Sequence, residues 1–249
     1  MPQSPAPNYR FFGRADMLRR GATHLCSSSL PAKVLIAGEN GSGKTGLALQ
    51  LLQHKEVKVM FGDGTGCWYI DCTPFYSGGG ASGEAAVALI MAILEQLNVE
   101  LRPTEKEILG FLYNKLVARG SKTRILLVLD GLEDTCLEEN NKRVQNLTMK
   151  RVIKTLASIY CVSLVVVTCG QSMRQLLPWT LVLPGQDTLG PLELNDAVDM
   201  FEDISREGLA EEHDISTIKS APIEYYAPCE DAEFLSQSFK NSSILGGVS

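Results

Sequence analysis

The octapeptide Gly38–Thr45, GENGSGKT, constrains this chain more than any other stretch. An apolar, strand-forming run, KVLIA (Lys33–Ala37), precedes it, and an apolar-faced helical segment, GLALQLLQH (Gly46–His54), follows it. A G-x-x-x-x-G-K-[ST] match arises by chance in a chain of this length about one time in a hundred at average glycine usage. Here the flanks also supply strand, loop and helix in the order that the match requires. Glycines let successive backbone N–H groups curl around an anion, and the N-terminus of the next helix adds partial positive charge. Gly38, Glu39, Asn40, Gly41, Ser42, Gly43, Lys44, Thr45 and Gly46 are therefore read as a cradle for a nucleotide phosphate tail. Lys44 would neutralise the β- and γ-phosphates, and the Thr45 hydroxyl would ligate Mg2+.

The remaining hydrophobic pattern extends this unit. Strands are expected at CWYIDC (Cys67–Cys72), RILLVLD (Arg124–Asp130), VSLVVVT (Val162–Thr168) and WTLVLP (Trp179–Pro184). Helices are expected over Ala15–Cys26, Ala85–Leu97, Glu105–Arg119, Val144–Tyr160 and Leu194–Ser205. Apolar strands without polar alternation, separated by helices, indicate a parallel sheet covered on both faces, a three-layer α/β fold. Residues 1–10 are rich in Pro and read as a loose lead, 11–206 as the domain, and 207–249 as an acidic, poorly ordered tail.

Three further positions carry candidate chemistry. Asp130 closes an apolar strand, where a carboxylate can hold Mg2+ through water. Glu133 and Asp134, just beyond it in DGLED, are candidates for orienting or deprotonating an attacking water. The competing reading is a solvated acidic loop or a helix N-cap. Thr168 ends the next strand, where ligands of open α/β sheets gather; it would sense the γ-phosphate, or simply cap a turn. The glycine cluster Ser77–Gly83 lacks a following Lys and reads as a connector.

Charge and composition exclude several classes. The net charge of −6 is concentrated after Glu202, where ten acidic and three basic residues leave the preceding body near neutral. That distribution gives no support to nucleic acid as the primary ligand. The longest apolar run, Ala85–Leu94, is about half the ~20 residues that a membrane span needs. The N-terminus lacks a signal-peptide layout, and seven cysteines without CxxC pairing or a His partner fit a reducing, cytoplasmic setting. Cys67 and Cys72 read as strand and core residues rather than a disulfide.

Together these motifs resemble the STAND class of signal-transduction P-loop ATPases, the NB-ARC and NACHT relatives. FFGRADMLRRGATHL (Phe11–Leu25) is similar to the F-x-GR-x-x-x-L box that precedes their phosphate loop. KVLIAGENGSGKTGLALQLL resembles their Walker A segment, and RILLVLDGLED their Walker B segment with the last two acids exchanged. LGPLELNDAVDMFEDIS (Leu189–Ser205) is similar to the segment after their last core strand. The resemblance implies a P-loop NTPase sheet of five parallel strands in the order 5-1-4-3-2, with Asp130 and Thr168 on adjacent strands. It also implies ATP or ADP with Mg2+, a slow nucleotide-controlled switch, and Phe12 and Arg14 near the base and an interdomain edge. Protein partners or self-association would come through the family's other domains.

The chain departs from this pattern in two ways. Thr168 is followed by Cys169-Gly170-Gln171 where NB-ARC relatives carry Thr-x-Arg, and Arg174 is off register. The helical subdomain and winged helix that normally follow are not readable after Ser205, so a truncated product, a fragment or a minimal variant is expected. Two alternatives remain beside the switch. One is a non-hydrolysing interaction module with a structural nucleotide. The other is an active ATPase or kinase, disfavoured because Glu84–Arg119 offers only Arg102 and Arg119 for a substrate lid.

Overall fold

A computed structural model of the chain describes residues 12–27, 31–75, 82–99, 103–104, 107–137, 147–185 and 189–208. Strands β1 (Lys33–Ala37), β2 (Cys67–Asp71), β3 (Ile125–Asp130), β4 (Val162–Thr168) and β5 (Leu181–Leu183) form one sheet in the order β2-β3-β4-β1-β5. Every pairing is parallel. Counted from its other edge, this is the expected order 5-1-4-3-2.

Position in the sheet explains the composition of each strand. All residues of β3 and β4 are buried, and in β1 only Lys33 is not. These central strands have helices on both faces, so apolar side chains are needed on both. Edge strand β2 instead alternates buried and partly exposed residues, and two of the three residues of β5 are partly exposed.

Alternate residues of one strand enter different cores. Val34 and Ile36 pack with Leu25 of helix α1 (Ala15–Ser27), with Leu47 and Leu51 of α2 (Lys44–Gln53) and with Val57 of α3 (Lys55–Met60). Leu35, Leu127 and Leu129 join the opposite core. There they meet Leu89 and Ile93 of α4 (Ser82–Gln96), Leu112 and Leu116 of α5 (Ile108–Gly120), and Val152 and Leu156 of α6 (Met149–Ser158). Each such side chain contributes about 1.5–3 kcal/mol by leaving water. Helix α6 buries Met149, Val152, Ile153, Leu156 and Ala157, the i, i+3, i+4 spacing of one helical face.

Two short helices, α3 and α7 (Ser172–Leu176), are additions to the expected set. Each buries a single side chain, Val57 or Met173, so neither has an apolar period to read. The expected strand Trp179–Pro184 contracts to Leu181–Leu183, with Thr180 bonding the Lys33 backbone through both its amide and its hydroxyl. Helix α6 opens at Met149, where the Thr148 hydroxyl accepts the Arg151 amide at 3.3 Å, and not at Val144, which lies outside the described residues. Residues 77–81 of the glycine cluster also lie outside them, as do 1–10 and 209–249 of the expected terminal segments.

Helix α8 (Leu194–Gly208) ends the described chain. Compact units divide at Met200 and Phe201, so α8 starts in one and ends in the other. Cys67 and Cys72 are not joined in a disulfide, and Cys72 is buried. Among the described residues no helix is long and apolar enough to cross a membrane.

Candidate functional site

The glycine loop leaves β1 between its two neighbours. Gly38 N–H donates to the Thr168 carbonyl at 3.2 Å, and Glu39 N–H donates to the Leu189 carbonyl at 3.3 Å. A Cβ on Gly38 would lie 2.5 Å from that Leu189 oxygen, so the close approach admits only glycine. Gly41 (φ 75°) and Gly43 (φ 84°) take left-handed backbone that costs other residues about 1–2 kcal/mol. Gly43 is the N-cap of α2, so the helix begins at Lys44 rather than at the expected Gly46. Lys44 and Thr45 therefore occupy the first turn, where backbone N–H groups have no intrahelical acceptor and face an incoming anion.

A cavity of about 490 Å3 opens over the C-terminal ends of the strands. From the loop and α2 it takes Asn40, Gly41, Gly43, Lys44 and Thr45; from β3 and the turn after it, Asp130, Gly131 and Glu133; from β4 and its end, Val167, Thr168 and Cys169. The parallel sheet brings these distant segments together, because every strand delivers its C-terminus to the same edge.

Electrostatically the cavity pairs one cation with several carboxylates. Lys44 Nζ donates to the Glu39 carbonyl at 2.5 Å, inside its own loop. Burial holds the Lys44 ammonium below its usual pKa, while Cys169, Asp130 and Glu39 act in the opposite sense. Asp130 is only 6% exposed. Its Oδ2 accepts the Tyr69 hydroxyl at 2.8 Å. A carboxylate and a hydroxyl (Thr45) are hard oxygen donors and suit Mg2+, which takes one or two carboxylates and completes its shell with phosphates and water. Consistently, no cluster of three or more acidic, His or Cys side chains among the described residues is arranged to hold a metal.

Not every candidate reaches the cavity. Gly38, Glu39, Ser42 and Gly46 shape the loop without lining the cavity; the Ser42 hydroxyl is buried without a hydrogen-bond partner. Asp134 parts from Glu133. Its Oδ2 and Oδ1 accept the amides of Gln171 and Ser172 at 3.0 and 2.9 Å, at the start of α7, and it does not line the cavity. These contacts lie 37 and 38 residues along the chain, not in the segment that follows Asp134.

The Phe12–Arg14 segment is also elsewhere. The Arg14 guanidinium donates to the carbonyls of Gly190 (2.5 Å) and Pro191 (3.1 Å), and neither Phe12 nor Arg14 lines the cavity. Burial lowers the Arg14 pKa against the opposing charges of Asp196 and Glu193. Thr168 ends β4 at the cavity. It lines the cavity, and its hydroxyl accepts the Gly170 amide at 2.8 Å, closing a turn.

Six lining residues escaped the sequence reading: Tyr69, Asp71, Thr73, Gly131, Val167 and Cys169. Asp71 ends β2 as Asp130 ends β3, and the two are register partners. Its carboxylate accepts the Thr73 amide at 2.9 Å. A second strand with an Asp near its end was legible in CWYIDC, and the implied order placed it beside the Asp130 strand, but the register that pairs Asp71 with Asp130 was not legible.

Solved structures with similar chain traces share this architecture. A Walker-type ATPase of Pyrococcus abyssi superposes with a TM-score of 0.55 at 15% identity over 84% of this chain and 62% of its own. The Orc1 protein of Aeropyrum pernix, solved in complex with DNA, gives 0.51 at 22% identity over 83% and 52%. Drosophila ORC bound to DNA gives 0.55 at 13% identity over 84% and 50%. The chain thus spans about half to three fifths of these proteins. No family model matches it, and no curated protein does. At these identities the likeness is one of fold, and with the sheet order, the loop and the cavity it gives the chain the three-layer α/β architecture of the P-loop NTPases.

Proposed function

We propose that this chain is the ATP- or ADP-binding core of a nucleotide-dependent switch of the STAND type, with slow hydrolysis at most. The observation that carries the reading is the convergence of Lys44, Thr45, Asp130, Glu133 and Thr168 on one cavity beside a left-handed glycine loop. Backbone amides of Gly41–Thr45 would cradle the phosphates, with Lys44 turning from Glu39 to the β- and γ-oxygens. Thr45 and Asp130 would hold Mg2+, which when bound neutralises charge on the phosphate tail. Glu133 would orient the attacking water, and Thr168 would contact the terminal phosphate. The STAND assignment draws support from the entry box, the DGLED segment and the Leu189–Ser205 segment; protein partners and a cytoplasmic setting follow from it as proposals.

Isothermal titration of ATP with Mg2+ tests the phosphate grip, and Lys44→Ala should abolish the signal. Unchanged affinity in that variant would refute the assignment. Turnover above roughly 1 s−1, the low end for kinases, would replace the switch with an active enzyme.

The engagement of Asp134 at α7 favours a second reading, a non-hydrolysing module in which nucleotide is structural. It leaves Glu133 alone of the pair at the cavity. Glu133→Gln separates the two readings. Loss of residual hydrolysis with binding retained supports the switch, and no change supports the passive module.

A further inference from the structure

Strand β2 touches the candidate Mg2+ carboxylate directly. The Tyr69 hydroxyl donates to Asp130 Oδ2 at 2.8 Å, across a register in which Tyr69 faces Val128 and Asp71 faces Asp130. Side chains alternate along a strand, so Tyr69 and Asp71 share the face that carries Asp130. Both line the cavity. The Tyr69 ring packs against the core that holds Val128 and Val165, which fixes where its hydroxyl sits.

Asp130 has a difficult position. A carboxylate 6% exposed at a cavity wall needs a donor in the absence of a cation, and it must keep one rotamer if it is to meet one. The Tyr69 hydroxyl answers both needs. It engages Oδ2 and leaves the other oxygen to face a cation's water shell. We propose that Tyr69 is a positioning residue for the cation site, holding Asp130 in the orientation that receives nucleotide-bound Mg2+. This inference rests on the nucleotide-binding reading.

The test is a Mg2+ titration of the full chain, read by a fluorescent ATP analogue with and without EDTA. Tyr69→Phe keeps the ring and removes only the donor. The expected result is unchanged analogue affinity in EDTA, with a melting temperature lowered because Asp130 loses its donor. The Mg2+ concentration for half-maximal binding should rise about ten- to a hundredfold, the usual loss when the partner of a metal-holding group is removed. In an Asp130→Asn background the same substitution should produce no further shift, because its effect passes through Asp130.

A Mg2+ midpoint unchanged by Tyr69→Phe overturns the proposal. A shift of the same size in the Asp130→Asn background also overturns it, and assigns Tyr69 a packing role. If the wild-type chain binds no analogue under either condition, the nucleotide reading falls and this inference falls with it; that failure is distinguishable because it occurs in the wild type.

Discussion

Lys44 and Arg14 both hold backbone carbonyls, and they do so for opposite ends. Lys44 reaches the Glu39 oxygen within its own loop, five residues away, at the wall of the cavity. Arg14 reaches Gly190 and Pro191, across the chain and away from the cavity, with two contacts where Lys44 has one. The first bond is local and exchangeable: a phosphate oxygen offers the ammonium a charged acceptor, and charged acceptors bind about twice as strongly as neutral ones. The second joins the segment before α1 to the segment before α8, within the field of the Asp196 and Glu193 carboxylates. Both segments resembled nucleotide-contacting motifs in sequence. Geometry separates a ligand grip from a clamp.

This contrast can be broken most sharply at Lys44. Lys44→Ala should lower ATP affinity by about a hundredfold or more, the equivalent of ~3 kcal/mol for a bond to a charged group. Its melting temperature should stay within a few degrees of wild type, checked by calorimetry on the same sample. Arg14→Ala should show the reverse pattern: a loss of about 1–3 kcal/mol in urea unfolding for two orphaned carbonyls, with ATP affinity retained. A large affinity loss in Arg14→Ala would restore the segment to the nucleotide site and erase the distinction.

A smaller effect tests the same division between neighbouring acids. Asp134→Ala should cost about 0.5–2 kcal/mol by uncapping the start of α7, measured by chemical denaturation. Glu133→Gln should leave stability within ~0.5 kcal/mol, as surface changes usually do. Equal destabilisation by both would mean that Glu133 is also structural.

The smallest expected effect lies outside the cavity and serves as a control on burial. The Cys67 thiol is pushed up to about 11 by burial, against the opposing charge of Lys58. A thiol raised in the folded state contributes stability that is complete below its unfolded pKa of about 9 and is lost as pH rises through 11. Native Cys67 should therefore resist iodoacetamide at pH 8 and become reactive on unfolding. Stability should begin to fall above pH 9, and less steeply in Cys67→Ala.

What was legible follows a simple physical division. KVLIA, ILLVL and VSLVVV are apolar on both faces, and only burial between two helical layers makes that tolerable, so the central sheet could be read directly. The glycine loop was legible because its function is set by backbone angles within eight residues, and those angles demand glycine. Helices α3 and α7 were not legible, since one buried side chain each gives no period. Tyr69 and Asp71 were passed over because β2 carries no loop motif; their importance comes from lying one strand over from Asp130.

The sequence by itself determined the layered sheet, the glycine loop of Gly38–Thr45 and the carboxylate that closes β3. These depend on local angles and on the cost of exposing apolar strands. Only the tertiary structure decided that Glu133 faces the cavity while Asp134 caps α7, that Arg14 clamps Gly190 and Pro191, and that Tyr69 holds Asp130. The last three of those outcomes are hydrogen bonds between groups far apart in the chain, whose partners are chosen by packing rather than by any neighbour in sequence.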